Sequence, residues 1–229
     1  METNNFNMDY SVIQSNEEIR SQSRKQLRGA WGKMAFAFFV YFSINTICTY
    51  AFSERSPLYN PVLDSLLKMV YIILFGPFYM GFFAGFFLKR IRGQEIKTEY
   101  MFDGFNYFLP SLITGLLMIL FIVLWSLLLI IPGIIKNIAY SMTFHIMYDN
   151  PEIKPLEALR KSEVMMKGYR MKKFFLDLSF IGWYLLGFIT LGIGFIWIYP
   201  YIWLAEANFY ENLKHKKPVE ISETDGRPA

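Results

Sequence analysis

Hydrophobic and polar positions in this chain are sorted into long blocks, without the fine interleaving of a soluble fold. Met34 to Ser53 and Met69 to Leu88 are each 20 residues without a formal charge, Leu178 to Ala205 is 28, and Gly104 to Tyr148 is 45 with one charge, Lys136. Runs of ~18 or more apolar residues argue for membrane-spanning helices. As one helix the 104–148 block would reach roughly 65 Å at ~1.5 Å per residue, about twice the ~30 Å hydrocarbon core, so it predicts two helices. Pro132-Gly133 supplies the reversal, because proline removes an interior helical hydrogen bond and glycine accepts left-handed backbone angles. The block reads as a transmembrane hairpin with almost no loop.

Extending that reading along the chain predicts an all-α polytopic membrane protein of six spans, at about 34–53, 67–88, 108–131, 133–149, 174–191 and 194–212, arranged as three consecutive hairpins. A disordered N-terminus over 1–14, a single transmembrane domain over 15–213 and a tail over 214–229 complete the plan. Composition agrees: 54% of residues are apolar, 19% aromatic and only 18% charged. A soluble domain of this size needs more charge. The 23 Phe and 15 Tyr suit rings facing lipid or its interfaces, and the long uncharged runs separate that reading from a large aromatic core.

Charge then orients the spans. All of the 23 basic residues except Arg55, Lys68 and Lys136 fall in the N-terminal segment, the two even-numbered loops or the C-terminal segment. Cytoplasmic loops retain Lys and Arg, so both termini are expected in the cytoplasm of a bacterial cell, with the reversals, Lys136 included, at the outer face of the plasma membrane. The cations are spread over four juxtamembrane segments, which argues against a nucleic-acid surface. No signal peptide is expected, since the first 22 residues lack an apolar core with a small-residue cleavage site. Cys48 is the only cysteine and excludes an intrachain disulfide.

An internal repeat runs through the same segments. Each hairpin follows a polar stretch ending in glycine near an aromatic: Gly29-Ala30-Trp31, Gly104-Phe105 and Gly168-Tyr169. Each is followed by a Glu-Ile step: Glu95-Ile96, Glu152-Ile153 and Glu220-Ile221. Glycine at a helix C-terminus takes left-handed angles and can turn an interfacial helix into the next span. Two such cytoplasmic interfacial helices are expected: Pro155 to Lys167, with proline at the first helical position, and Ser15 to Arg28, opened by a capping box. Both present cations to anionic headgroups, each contributing ~1 kcal/mol near the surface, or act simply as solvated connectors.

Polar residues inside spans mark the candidate function, since a charge at the bilayer centre costs at least ~2.5–3.5 kcal/mol. Lys136 and Asp177 are expected to serve as interface anchors. His145 and Glu206 lie about 12 residues into the second helix of their hairpins, at equivalent repeat positions when Tyr140 is set against Tyr201. They form a candidate hydrogen-bonded intramembrane pair, with exposure to the inner headgroup zone as the alternative. Asn45 and Thr46 are the clearest polar groups near a midplane. Gly81 and Gly85 make a small-xxx-small match suited to close intramolecular packing. No catalytic residues, cofactor site or metal site emerge: there are two histidines in all, and no phosphate loop, dinucleotide fingerprint or nucleophile elbow.

Leu124 through Lys136, then Tyr140-Ser141-Met142 and Asp149-Asn150-Pro151, resemble the signature of the bacterial integral-membrane family called domain of unknown function 975. Flanking pieces such as Phe102-Asp103-Gly104-Phe105 and Phe180-Ile181-Gly182-Trp183 extend the resemblance over roughly 20–213. It implies a multipass plasma-membrane protein, more distantly similar to the membrane region of some glycerophosphodiester phosphodiesterases, whose catalytic domain has no counterpart here. It implies no activity. The expectation is a non-enzymatic protein binding membrane lipids, a peptide or a membrane-protein partner in envelope maintenance or self-protection. A small transporter using His145 and Glu206 is the alternative, and its usual inverted repeat is missing.

Overall fold

The computed structural model describes residues 14–51, 60–62, 64–66, 69, 77–94 and 97–214, and the regular elements among them are helical. In chain order they are α1 (Asn16–Leu27), α2 (Trp31–Ala51), a π-helical segment (Met80–Phe86) running into α3 (Phe87–Ile91), and a 3-10 segment (Thr98–Tyr107) running into α4 (Phe108–Leu128). After these come α5 (Ile130–Tyr140), α6 (Thr143–Asp149), α7 (Pro155–Met165), α8 (Arg170–Leu178), α9 (Ile181–Ile189) and α10 (Phe195–Lys214). The expected reversal of the first hairpin, with Arg55 and Lys68, lies outside the described residues, as do the terminal segments 1–13 and 215–229.

Local signals are realised where they are local in origin. The Ser15 hydroxyl accepts from the Glu18 backbone N–H at 3.2 Å and the Ser15 N–H donates to the Glu18 carboxylate at 2.6 Å, closing the capping box of α1. The bond from the Ser15 backbone, and after it the Ser15 hydroxyl, hold the Glu18 carboxyl below its ordinary range. Pro155 occupies the first turn of α7. Gly29 (φ +76°) and Gly168 (φ +82°) turn α1 into α2 and α7 into α8, as the repeat predicts. Gly104 serves a different end. It sits within the 3-10 segment, where a Cβ would collide with the Pro77 carbonyl and the Gly81 nitrogen, so its role is close backbone approach.

The second hairpin reverses at Leu129, three residues before the expected Pro132-Gly133 turn. Leu129 alone is extended (φ −163°, ψ 145°), and Pro132 lies in the first turn of α5, where a missing N–H leaves no acceptor unmet. Gly133 is buried, and a Cβ on it would strike the Ser126 hydroxyl of the facing arm. Glu99–Leu128 is long and apolar enough to cross a bilayer, and among the described residues it is the only such helix. Of the expected spans, 34–53 and 194–212 correspond to the unbroken α2 and α10. Those at 133–149 and 174–191 are interrupted, at Ser141-Met142 and Ser179-Phe180. At both interruptions hydroxyls bond the carbonyl three residues back, Ser141 to Ile138 at 2.8 Å and Ser179 to Leu176 at 2.6 Å, in competition with the helical ladder.

The elements close in a ring. Each helix leading into a hairpin packs on the exit arm of the hairpin before it: the 3-10 segment on the π-helical segment, α7 on α5 and α6, and α1 on α10. The first leading helix thus meets the last exit arm. Each seam is made by small or polar groups: Gly81 against Gly104, the Ser162 hydroxyl donating to the Ala139 carbonyl at 2.8 Å, and the buried amides of Gln26 and Asn208, which exchange bonds at 2.6 and 3.2 Å. Inside the ring, Phe82, Phe86 and Phe87 are buried, and Phe83 meets Trp203 edge-on at 4.3 Å. One face of α7, with Ala158, Leu159 and Ser162, is buried against protein, and its other face, with Glu157, Arg160 and Lys161, is exposed.

Candidate functional site

Two of the ion clusters along the exit arms differ in charge balance, and that difference separates their roles. At the base the ends of all three arms meet. Arg92, just past α3, grips Asp149 at the end of α6 with two bonds of 2.7 and 2.9 Å and reaches Glu211 of α10 at 2.9 Å. Lys214 (2.6 Å) and Tyr210 (2.9 Å) complete the Asp149 carboxylate. Burial opposes the Arg92 charge, but the bonds to Asp149 and then Glu211 outweigh it and raise its pKa further above the working range. Two cations face two anions with every carboxylate bonded. This is a fastener, with no spare valence for a ligand.

Farther up the arms the second cluster is unbalanced. Lys173 of α8, 5% exposed, holds Asp177 with bonds of 2.7 and 2.9 Å and faces Glu206 of α10 at 3.7 Å. One ammonium against two carboxylates leaves a formal surplus of one negative charge. The three side chains line a cavity of about 140 Å³ whose remaining wall is mostly Tyr79, Met118, Ile138, Tyr140 and Phe144, with Asn137 and Ser141 as its other polar groups. The cavity lies where α8 packs beside the exit arm of hairpin two, next to the turn at Ser141-Met142. It has room for a polar group of a few heavy atoms set in an aromatic and aliphatic surround.

His145 and Glu206 are not joined. Glu206 turns to Lys173, while both His145 ring nitrogens are buried without a hydrogen-bond partner and the ring stacks on Tyr210 at 5.2 Å and 30°. The residue is 2% exposed and lies between the two clusters, within electrostatic reach of Lys173 on one side and of Asp149 and Arg92 on the other. The two arms present these residues to different neighbours. Asp177 meets Lys173, one of the two lysines beside which the sequence sets it. Lys136, expected to stand at the outer face away from α7, is instead bonded to Glu163 of that helix at 2.6 Å, with Trp125 5.1 Å from its ammonium. The reason is that α7 folds back along the exit arm. Thr46 is exposed on α2, and the side chain of Asn45 lies outside the described residues.

Sequence reasoning missed Arg92, Asp149 and Glu211 as a set, and Gln26 with Asn208. Their signal was position: charges at the last turn of each apolar arm, and polar groups spaced to share one face of α1 (Ser23, Gln26) and of α10 (Asn208, Asn212). Among the described residues no group of His, Cys, Asp and Glu side chains is placed to hold a metal ion.

A family model described as Protein of unknown function (DUF975) matches residues 8–136 and 127–217. No curated protein and no solved structure matches the chain, so the more distant likeness to glycerophosphodiester phosphodiesterase membrane regions gains no support.

Proposed function

This chain belongs to the DUF975 family, and on that premise we propose that it is a membrane-resident, non-enzymatic binding protein whose working partner is lipid. Its three apolar hairpins enter the bacterial plasma membrane from the cytoplasmic side, where both termini lie. Two findings support the membrane placement: all basic residues but Arg55, Lys68 and Lys136 fall outside the hairpins at the end away from their reversals, and Leu127 to Ile131 and Leu185 to Ile193 expose large aliphatic and aromatic side chains that no protein surface covers.

One observation carries the binding role: the Lys173-Asp177-Glu206 cluster lines a cavity between two apolar hairpins with an unmatched negative charge. A lipid lying between the hairpins would place its acyl chains on apolar surface and offer a polar group to the cavity. The surplus charge selects an amine-bearing or hydroxyl-bearing group over a second anion. Envelope maintenance or self-protection is the setting that suits such a protein.

Lipid co-purified in native-membrane discs tests this. The wild type is expected to carry amine-bearing lipid enriched over the bulk membrane, and Glu206→Gln to lose that enrichment while Lys167→Ala, exposed just past the end of α7, retains it. Equal lipid profiles for bulk membrane, wild type and Glu206→Gln would remove the cavity from the account.

A further inference from the structure

We infer that the second and third hairpins are wedges that enter the membrane from one face and turn inside the hydrocarbon, short of the far side; this rests on the membrane placement proposed above. Exposed charge sets the limit on depth. α7 runs back along the exit arm of hairpin two: Ala158 packs with Phe144 and Met147, Ser162 bonds the Ala139 carbonyl, and Glu163 takes Lys136. The other face of α7 carries Glu157, Arg160 and Lys161, all exposed, and Lys167 follows exposed past its end. Hydrocarbon rejects such a face, and Glu157 has too short a stem to reach a distant interface. The apolar zone therefore begins on the tip side of the Lys136–Glu163 pair. From Lys136 to the reversal at Leu129 a helix rises roughly 10 Å at ~1.5 Å per residue, about a third of the ~30 Å core.

The tips have the composition of a buried end. Leu127, Leu128, Leu129, Ile130 and Ile131 are 65–78% exposed, with no cation or interfacial aromatic among them. A reversal standing in the far headgroup zone would present five bare aliphatic side chains to water. Hairpin three repeats the arrangement independently. Its last charges before the tip are Asp177 and Glu206, and the arm from Glu206 to Phe195 rises roughly 17 Å at ~1.5 Å per residue. At its tip Leu191 is 93% exposed and holds φ +52°, a left-handed angle that a branched aliphatic residue rarely adopts, with Gly192 following at +91°. A strained position that thrusts leucine outermost is at home among acyl chains.

Spin labels at Leu129→Cys, Leu191→Cys and Lys161→Cys, each on a Cys48→Ser background in sealed vesicles, test the depth. Collisions with oxygen report lipid, and collisions with an aqueous nickel chelate added to either side report water. The expected result is loss of nickel contact from both sides at Leu129 and Leu191, with nickel contact from one side at Lys161. Ile130→Cys and Ile193→Cys repeat the reading at neighbouring tip positions, guarding against a single disruptive label. Nickel reaching the tips from the side opposite Lys161 would overturn the wedge and leave the membrane placement standing. Nickel reaching the tips from the same side as Lys161 would overturn both.

Discussion

The base of the molecule and the tips of its hairpins are built from the same apolar residue types, yet Phe82 and Leu204 at the base are 0% exposed while Leu191 at a tip is 93% exposed. What differs is the company. At the base, glycines let backbones meet and polar groups join helices across seams: Gly81 and Gly85 pack against Gly104 and Tyr148, and Asn208 bonds Ser23 at 3.0 Å as well as Gln26. The tips have no cross-seam polar bonds among the described residues, and there Gly133, Gly187 and Gly194 bring the arms of each hairpin close. Hydrophobicity therefore does not locate the core of this protein; small and polar residues within apolar helices do. Apolar surface without them stays uncovered by protein, which suits the proposed contact with lipid.

The contrast breaks most severely at Arg92. Arg92→Ala strips the shared partner from Asp149 and Glu211, whose side chains are 7% and 8% exposed, and removing one member of such a buried cluster costs about 3–5 kcal/mol. Thermal unfolding in detergent should show a large fall in midpoint, and Arg92→Lys, which keeps charge without the two-pronged grip, should recover only part of it. A smaller loss is expected from Gly104→Ala. Its new methyl meets the Pro77 carbonyl, which is backbone and cannot swing aside, so overpacking of about 1–3 kcal/mol is expected in the same assay.

The cap of α1 gives the mildest effect. Ser15→Ala removes the hydroxyl that accepts from Glu18 and should cost about 1 kcal/mol. Because the folded Glu18 carboxyl is held below its ordinary range, its contribution is present above that range and fades as pH falls through the folded value. Amide exchange in α1 should accelerate on acidification in the wild type and lose this acid dependence in Glu18→Gln. By comparison, Leu128→Ser and Leu191→Ser at the tips should leave the detergent midpoint unchanged, since no neighbouring side chain depends on them.

How much of this was legible in sequence follows the range of each interaction. The caps at Ser15 and Pro155, the corners at Gly29 and Gly168 and the reversals of the second and third hairpins are set within a few residues, and the pattern carries them. The ring closure of α1 on α10 was not legible, because it joins residues more than 180 positions apart through single amides such as Gln26 and Asn208. Pro132-Gly133 marked the right hairpin but not its turn: proline is as acceptable in the first turn of a helix as in a reversal. His145 and Glu206 were legible as unusual polar positions. Their partners were not, since Lys173 and Tyr210 reach them from elements whose rotation about their own axes no repeat alignment specifies.

The most direct test of the division between base and tips uses the protein's own tryptophans. In variants keeping one tryptophan, with the other four changed to Phe, fluorescence is measured in vesicles whose acyl chains carry bromine. Trp125 and Trp197, on the hairpins and 39% and 49% exposed, should be strongly quenched, while Trp203, packed among Phe82, Phe83 and Phe87, should be nearly unaffected. Equal quenching at all three positions, or none at Trp125 and Trp197, would contradict the assignment of the exposed hairpins to lipid.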